Sequence, residues 1–383
     1  MDEISGSPFP NIEQEYLLQA ALFKDESAVQ AWEIWKKSVD LEGHLDPGSF
    51  RCLPLLYKNL LHHRIKDPFM TTLKGVYRQA WYKNQKLIYD SSRVIQLLHD
   101  AGIKTLILKG VALSIQVYND YGTRPMADID VLIPRNKARN AIDLLKKDGW
   151  KPEYDEYIEY NLRYGRSMQF TDESGLEFDL HWHPFFESHE NSSDNDFWDV
   201  SESLTVGDIQ TLSLCPADTL LHVIVHGLRF NPEPPIRWIP DAYTLIHNSD
   251  KILDWNRLVN NIKKYKIVLQ FRDAFSYLND KFNANIPEKV IEELQNIPVT
   301  YAERLVYKYS KINTNDIPNT FFNQIKKLFA GYLRQSNKKA ILWHLPGFLK
   351  YLKFRTSGKG IFRLLLYYIS LSLNKQKRQA IEK

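Results

Sequence analysis

Asp128 and Asp130 stand two residues apart inside Ala127-Asp128-Ile129-Asp130-Val131-Leu132-Ile133, an otherwise apolar run. On an extended strand, positions i and i+2 share a face, so both carboxylates would project together while Ile129, Val131 and Ile133 enter a core. A core-forming strand has no structural use for two like charges side by side, and such a pair calls for a cation. Carboxylate oxygens are hard ligands that suit Mg²⁺ or Mn²⁺, ions that organise phosphate chemistry. The structural alternative is a strand-edge loop with two solvated acids.

A third acid strengthens the metal reading. In Glu177 to His183, alternation puts Glu177, Asp179, His181 and His183 on one face and Phe178, Leu180 and Trp182 on the other. If this strand lies beside the Asp-Ile-Asp strand, Asp179 converges on the same site. Three carboxylates can hold two divalent ions, one escorting a triphosphate and one lowering the pKa of an attacking hydroxyl. Otherwise Asp179 pairs with a nearby arginine and His181 is a satisfied strand histidine. Upstream, Lys109-Gly110 sits where a strand turns into a helix. Glycine there allows close backbone approach, the first free N–H groups of the helix favour an anion, and Lys109 adds a full charge. Arg124 could reach a phosphate or a sugar hydroxyl. His222 and His226, four apart, could ligate zinc, but no Glu accompanies them in a His-Glu-x-x-His arrangement, and a packing or cleft-lining role is preferred. Arg237 and Asp241 read as an ion pair within one helix.

The elements that must position these residues follow from periodicity. Thr105 to Leu108 reads as a short buried strand, Val111 to Tyr118 as a helix, and the Asp-Ile-Asp strand is stopped by Pro134. Asn136 to Lys147 reads as a helix closed by Gly149. Arg166 to Thr171 and Leu176 to Trp182 read as strands joined by Asp172-Glu173-Ser174-Gly175, and Ser188 to Asp196 as a surface loop. Helical spacing fills Glu13 to Leu98, broken at Asp46-Pro47-Gly48 and Asp67-Pro68, and returns from Pro216 onward. The expected class is α+β, a small mixed-sheet core over residues 99–213 between an N-terminal helical region, 1–98, and a C-terminal helical region with a basic tail, 214–383.

The bulk numbers agree. With 383 residues, 44% of them hydrophobic and 13% aromatic, the chain can build proper cores, which excludes a disordered protein. Cys52 and Cys215 are far apart and outside any metal-type spacing, so neither a disulfide framework nor a zinc knuckle is expected. The acidic, polar start from Met1 to Gly6 lacks the features of a signal peptide. The apolar run Ile361 to Leu373 contains Arg363 and is too short to span a bilayer, so no transmembrane segment and a cytoplasmic setting are expected. The net charge of +4 hides an asymmetry: Ile317 to Lys383 holds fourteen Lys or Arg against one acid, Glu382. This tail, interleaved with aromatics, is either a solvated helical surface or a surface for an anionic partner, whether a membrane surface, nucleic acid or a phosphorylated substrate.

The order of glycine turn, helix, double aspartate and third aspartate resembles the nucleotidyltransferase superfamily built like the DNA polymerase β palm. Leu108-Lys109-Gly110-Val111-Ala112-Leu113, then Tyr118, Arg124-Pro125-Met126-Ala127-Asp128-Ile129-Asp130-Val131-Leu132, Gly149-Trp150 and Asp179-Leu180-His181-Trp182 resemble the blocks of a bacterial family of uncharacterised nucleotidyltransferases. Leu221-His222, His226, Arg237-Trp238-Ile239-Pro240-Asp241 and Asp254-Trp255 resemble its helical block. The resemblance implies Mg²⁺- or Mn²⁺-dependent transfer of a nucleoside monophosphate from an NTP to a hydroxyl or phosphate of a small-molecule, sugar or peptide acceptor. Asp128, Asp130 and Asp179 would carry the metals, with Asp179 also the general base, and Lys109, Gly110, Arg124 and His181 would contact the nucleotide. The superfamily commonly has Gly-Ser or Gly-Gly at the phosphate turn, whereas no hydroxyl follows Gly110, which leaves the donor open. A glycosyltransferase using the Asp-x-Asp site, or a non-catalytic anion-binding module, are the alternatives.

Overall fold

Seven strands form one open mixed sheet: β1 (Leu106–Leu108), β2 (Ile129–Leu132), β3 (Lys151–Pro152), β4 (Ser167–Thr171), β5 (Glu177–His181), β6 (Glu202–Val206) and β7 (Ile209–Ser213), in the order β3-β4-β5-β2-β1-β7-β6. The computed structural model describes residues 7–40, 43, 45–188, 195–231, 235–247, 253–312, 321–334 and 345–355. Every residue of β1 and β2 is buried, as their short apolar runs require of strands covered on both faces. β2 runs antiparallel to β1 and parallel to β5. The small α+β core between two helical regions is therefore as expected.

Four details differ from the sequence reading. The helix after β1 is Lys109–Gln116, so it begins on the lysine and not beyond the glycine. β3 is an additional edge strand. The hairpin β6–β7 was also not anticipated; it pairs Val206 with Ile209 across Gly207-Asp208, and β7 then joins β1 in parallel. Gly207 has φ 58°, the backbone conformation that a two-residue hairpin turn demands and glycine supplies without cost. Within the segment read as a loop, Asn195–Asp199 is a short helix and 189–194 lies outside the described residues.

Alternation divides the sheet between two cores. Ile107, Ile129, Val131, Phe178 and Leu180 face one side, where the long helix Met70–Asp100 and the helix Ala138–Lys147 bury their apolar stripes. Leu106, Leu108 and Leu132 face the other, in a core that unites the helices Ile12–Leu22, Glu26–Ser38 and Leu53–His62 with Pro216–Gly227, Trp238–His247 and Val268–Phe282. Asp130, Asp179 and His181 have the parity of Leu132, so they project toward this second, helix-covered side.

The segment before β2 is anchored from the N-terminal region. Asn84, fully buried on the long helix, donates to the carbonyls of Tyr121 (2.6 Å) and Arg124 (2.8 Å) and accepts from the Met126 N–H (3.0 Å). Asp120 accepts from Tyr77 Oη at 3.0 Å and pairs with Lys58 at 2.9 Å, and it caps the turn through the Gly122 N–H. The helices ahead of the core thus fix the chain just before its aspartates. Among the described residues no helix is long and apolar enough to cross a membrane, and both cysteines are free. The apolar run Ile361 to Leu373 and most of the basic tail lie outside the described residues.

Candidate active site

Parallel pairing of β2 with β5 sets Asp130 opposite Asp179 and Leu132 opposite His181. One ligand atom from each of Asp130, Asp179 and His181 lies within 4.8 Å of the others, a grouping of three found nowhere else among the described residues. His181 Nε2 is 2.9 Å from Asp130 Oδ1 and 3.9 Å from Asp179 Oδ2. Asp128 precedes the first residue of β2 and stands outside this grouping. It lines the same cavity of about 430 Å³ as Asp130, Asp179, Lys109, Gly110 and Arg124. Of the residues expected to meet at one point, the structure brings together the second and third aspartates with the histidine, and leaves the first aspartate beside them.

The two paired aspartates differ in charge state. Burial pushes the Asp130 carboxyl up, but the Lys109 ammonium and the His181 imidazole outweigh it and hold Asp130 well below the usual carboxylate range. Lys109 Nζ donates to Asp130 Oδ1 at 2.6 Å. Asp179 accepts no hydrogen bond from a cation among the described residues, and burial, then the Asp130 charge, raise it to about 7. Burial and Asp130 likewise raise Asp128. Burial lowers His181 to about 4, so its imidazole is neutral near pH 7, and its Nδ1 is buried without a hydrogen-bond partner among the described residues.

Lys109 bridges β1 and its helix in the left-handed backbone region, with φ 46°. A non-glycine residue there is strained, and from this position its ammonium reaches Asp130. At Gly110 an added Cβ would come within 2.9 Å of Met126 Sδ and 3.0 Å of Arg124 Nη1. Any side chain at this position would have to displace both of these side chains. Arg124 itself is bound through Nε and Nη2 to both oxygens of Asp241 (2.9 Å each for the shorter contacts), leaving Nη1 over Gly110. Tyr118 Oη donates to the same carboxylate at 2.8 Å. The ion pair read between Arg237 and Asp241 is therefore replaced by one between Arg124 and Asp241, and Arg237 instead donates to the Pro125 carbonyl.

His222 donates from Nε2 to the Pro184 carbonyl at 3.0 Å, a packing role, while His226 lines the cavity. The Lys109 charge, then burial, hold His226 well below its ordinary range, so it too is neutral. Sequence reasoning passed over Asn84 and Arg166. Arg166 lines the cavity on the β4 side, and its Nη1 is buried with no hydrogen-bond partner among the described residues. Nothing local in the sequence marks either one, since their partners are distant along the chain.

The donor set fits a divalent ion. Two carboxylates and a neutral imidazole are ordinary ligands of Mn²⁺ and tolerable ones of Mg²⁺. A cation, the Lys109 ammonium, already sits on Asp130, and His181 Nε2 points to the same carboxylate oxygen at 2.9 Å.

A model of the family described as uncharacterised nucleotidyltransferase matches residues 50–283. Among solved structures, an antigenic nucleotidyltransferase-like protein from Paracoccidioides brasiliensis is similar at 14% identity and a TM-score of 0.36, over 56% of this chain and 95% of that one. The lincomycin-bound structure of a lincosamide antibiotic adenylyltransferase is similar at 13% identity and a TM-score of 0.26, over 46% of this chain and 95% of that one. The comparison with curated proteins found no match.

Proposed function

The chain belongs to this uncharacterised nucleotidyltransferase family, and we propose that it transfers a nucleoside monophosphate from an NTP to a hydroxyl or phosphate of a small-molecule, sugar or peptide acceptor. The observation that carries the reading is the register of Asp130 against Asp179, with His181 on the same face and Lys109 within 2.6 Å. Asp130, Asp179 and His181 would hold Mg²⁺ or Mn²⁺, with Asp128 at the rim. A divalent ion held there would offset the phosphate charge and acidify the acceptor hydroxyl.

The chain's own groups supply the rest. The acceptor oxygen attacks the α-phosphorus, the bond from that phosphorus to the bridging oxygen of pyrophosphate breaks, and pyrophosphate leaves with the bonding pair. The acceptor proton passes to Asp179, the carboxylate set opposite Asp130 by the β2–β5 register and lining the cavity. Lys109, Gly110 and the first N–H groups of the helix Lys109–Gln116 receive the donor's phosphates, and Arg124 Nη1 lies beside them.

Calorimetric titration with Mn²⁺ and each non-hydrolysable NTP tests the reading. Binding is expected in the native chain and lost in Asp130→Ala combined with Asp179→Ala. Binding that survives both substitutions overturns it. Pyrophosphate release with an NTP separates this reaction from a sugar transfer, which would consume a nucleotide sugar and release no pyrophosphate.

A further inference from the structure

Three guanidiniums crowd one aromatic ring beside the Asp179 side of the cavity. Arg166, Arg229 and Arg334 lie 5.2, 6.0 and 4.8 Å from the centre of Phe186. They come from separate parts of the chain: Arg166 immediately precedes β4, Arg229 follows the helix Pro216–Gly227, and Arg334 ends the helix Phe321–Arg334. Glu187 is bound to two of them, its Oε2 accepting from Arg229 at 3.0 Å and its Oε1 from Arg334 at 2.8 Å. Arg166 makes no hydrogen bond to it. Arg166 Nη1 and Arg334 Nη2 are both buried with no hydrogen-bond partner among the described residues.

An arginine cannot shed its proton to escape burial. Contact with the Phe186 ring attracts each cation but supplies no counter-charge. The charges of Asp130, Asp179 and Glu187 all favour the Arg166 cation, but Asp130 is bound by Lys109 and His181 and Glu187 by Arg229 and Arg334, and among the described residues no carboxylate hydrogen-bonds to Arg166. Arg166 lines the cavity of the acidic cluster and carries a buried Nη1 without a hydrogen-bond partner among the described residues, a guanidinium suited to an oxyanion that enters with a ligand.

Topology says which ligand. Lys109 and Gly110 arrive from β1, on one flank of β2. Arg166 lies on the other flank, beyond β5, where its carbonyl accepts from the Trp182 N–H at 2.9 Å just past His181. Phosphates at Lys109 and an anion at Arg166 would thus sit on opposite sides of the Asp130–Asp179 pair. The geometry points to a second anion subsite centred on Arg166 and backed by Arg334 and Arg229, which takes a phosphate-class oxyanion carried by the acceptor. The assignment to the acceptor rests on the donor reading above.

Inorganic phosphate is the probe. The full chain is titrated with phosphate alone, and again after saturation with Mn²⁺ and the non-hydrolysable NTP that binds best. Phosphate is expected to bind in both cases with affinities within threefold of each other. Arg166→Gln, which breaks no carboxylate contact, is expected to weaken phosphate at least tenfold while changing analogue affinity less than threefold. Arg166→Lys recovers part of the loss, and Arg334→Gln gives a smaller one. Competitive displacement of phosphate by the analogue overturns the proposal by giving Arg166 to the donor's terminal phosphates. Phosphate binding that is absent, or unchanged in Arg166→Gln, overturns the subsite itself. If no analogue binds, the donor reading and the acceptor assignment both fall, while phosphate titration of the unloaded chain still decides the subsite.

Discussion

Asp130 and Asp179 stand directly opposite each other on β2 and β5, share a face, and are driven in opposite directions, Asp130 well below the usual carboxylate range and Asp179 up to about 7. The cause is unequal neighbours. Asp130 collects Lys109 and His181, and Asp179 collects burial and the charge of Asp130.

Opposite signs follow for stability of the metal-free chain. Unfolded, an aspartate titrates near 3.9. Between about pH 4 and 7 the folded chain holds a proton on Asp179 that the unfolded chain has released, so this residue's contribution falls as pH rises through that window. Asp179→Asn removes the penalty and is expected to stabilise the chain at pH 8, on the order of 3 kcal/mol, and less at pH 5. Asp130 contributes stability above the unfolded pKa, and Asp130→Asn leaves Lys109 without its carboxylate partner. A loss of about 3 kcal/mol is expected at either pH. Urea unfolding in the presence of a chelator reads both, and a destabilised Asp179→Asn at pH 8 would contradict the electrostatic picture.

Ion binding should carry the same signature. Asp179 must release its proton to ligate, so Mn²⁺ affinity is expected to fall about tenfold per pH unit as pH drops below about 7. Burial keeps His181 neutral down to about pH 4, so no second proton enters this range. The imidazole also favours Mn²⁺ over Mg²⁺. Titration of both ions between pH 5.5 and 8 checks slope and preference, and a slope of two protons would place another titrating ligand in the site.

Lys109 competes with a metal for Asp130 Oδ1. Lys109→Met is expected to raise Mn²⁺ affinity severalfold, because the ion no longer displaces an ammonium, and to weaken analogue binding about tenfold by removing a phosphate contact. Parallel titrations of ion and analogue separate the two effects. Loss of both together would mean the substitution had disturbed the strained turn at φ 46°.

The Arg124–Asp241 pair ties the loop before β2 to the helix Trp238–His247. Both side chains are largely buried, at 11% and 5% exposure. Asp241→Asn leaves a guanidinium facing a neutral amide and should cost about 3–5 kcal/mol. Replacing both partners, Arg124→Leu with Asp241→Leu, should recover much of this in thermal unfolding. If the double variant is as unstable as the single one, the pair's value lies in packing and not in charge.

Legibility in the sequence tracked the range of the interactions. Alternation within Glu177 to His181 was enough to put Asp179 and His181 on one face, and the apolar content of β1 and β2 was enough to bury them at the sheet centre. Alternation failed at Asp128 because β2 starts at Ile129, so the period-two rule does not reach it. The β6–β7 hairpin has alternating Leu204, Val206, Ile209 and Thr211 around Gly207-Asp208, but half its positions are polar and its strands are five residues long, a weak signal beside the helices that follow. Arg124 and Asp241 are 117 residues apart, and Arg166 acquires its meaning only when Glu187, Arg229 and Arg334 are placed. No local pattern encodes such pairings.

Asn84 offers a test of how the N-terminal helices serve the site. Its side chain is fully buried and makes three hydrogen bonds to backbone groups of Tyr121, Arg124 and Met126. Asn84→Ala strips partners from two carbonyls and one N–H, and each buried group left unsatisfied costs about 1–3 kcal/mol, so a total near 3 kcal/mol is expected once water fills part of the gap. Function should respond unevenly. Asp130 and Asp179 are fixed by β2 and β5, so Mn²⁺ affinity should fall no more than about threefold. Arg124 and Met126, which hold the approach to Gly110, hang directly from Asn84, so analogue affinity should fall about tenfold or more. Equal losses of ion and analogue would show that the loop positions the metal ligands too, and that the strand register alone does not build the site.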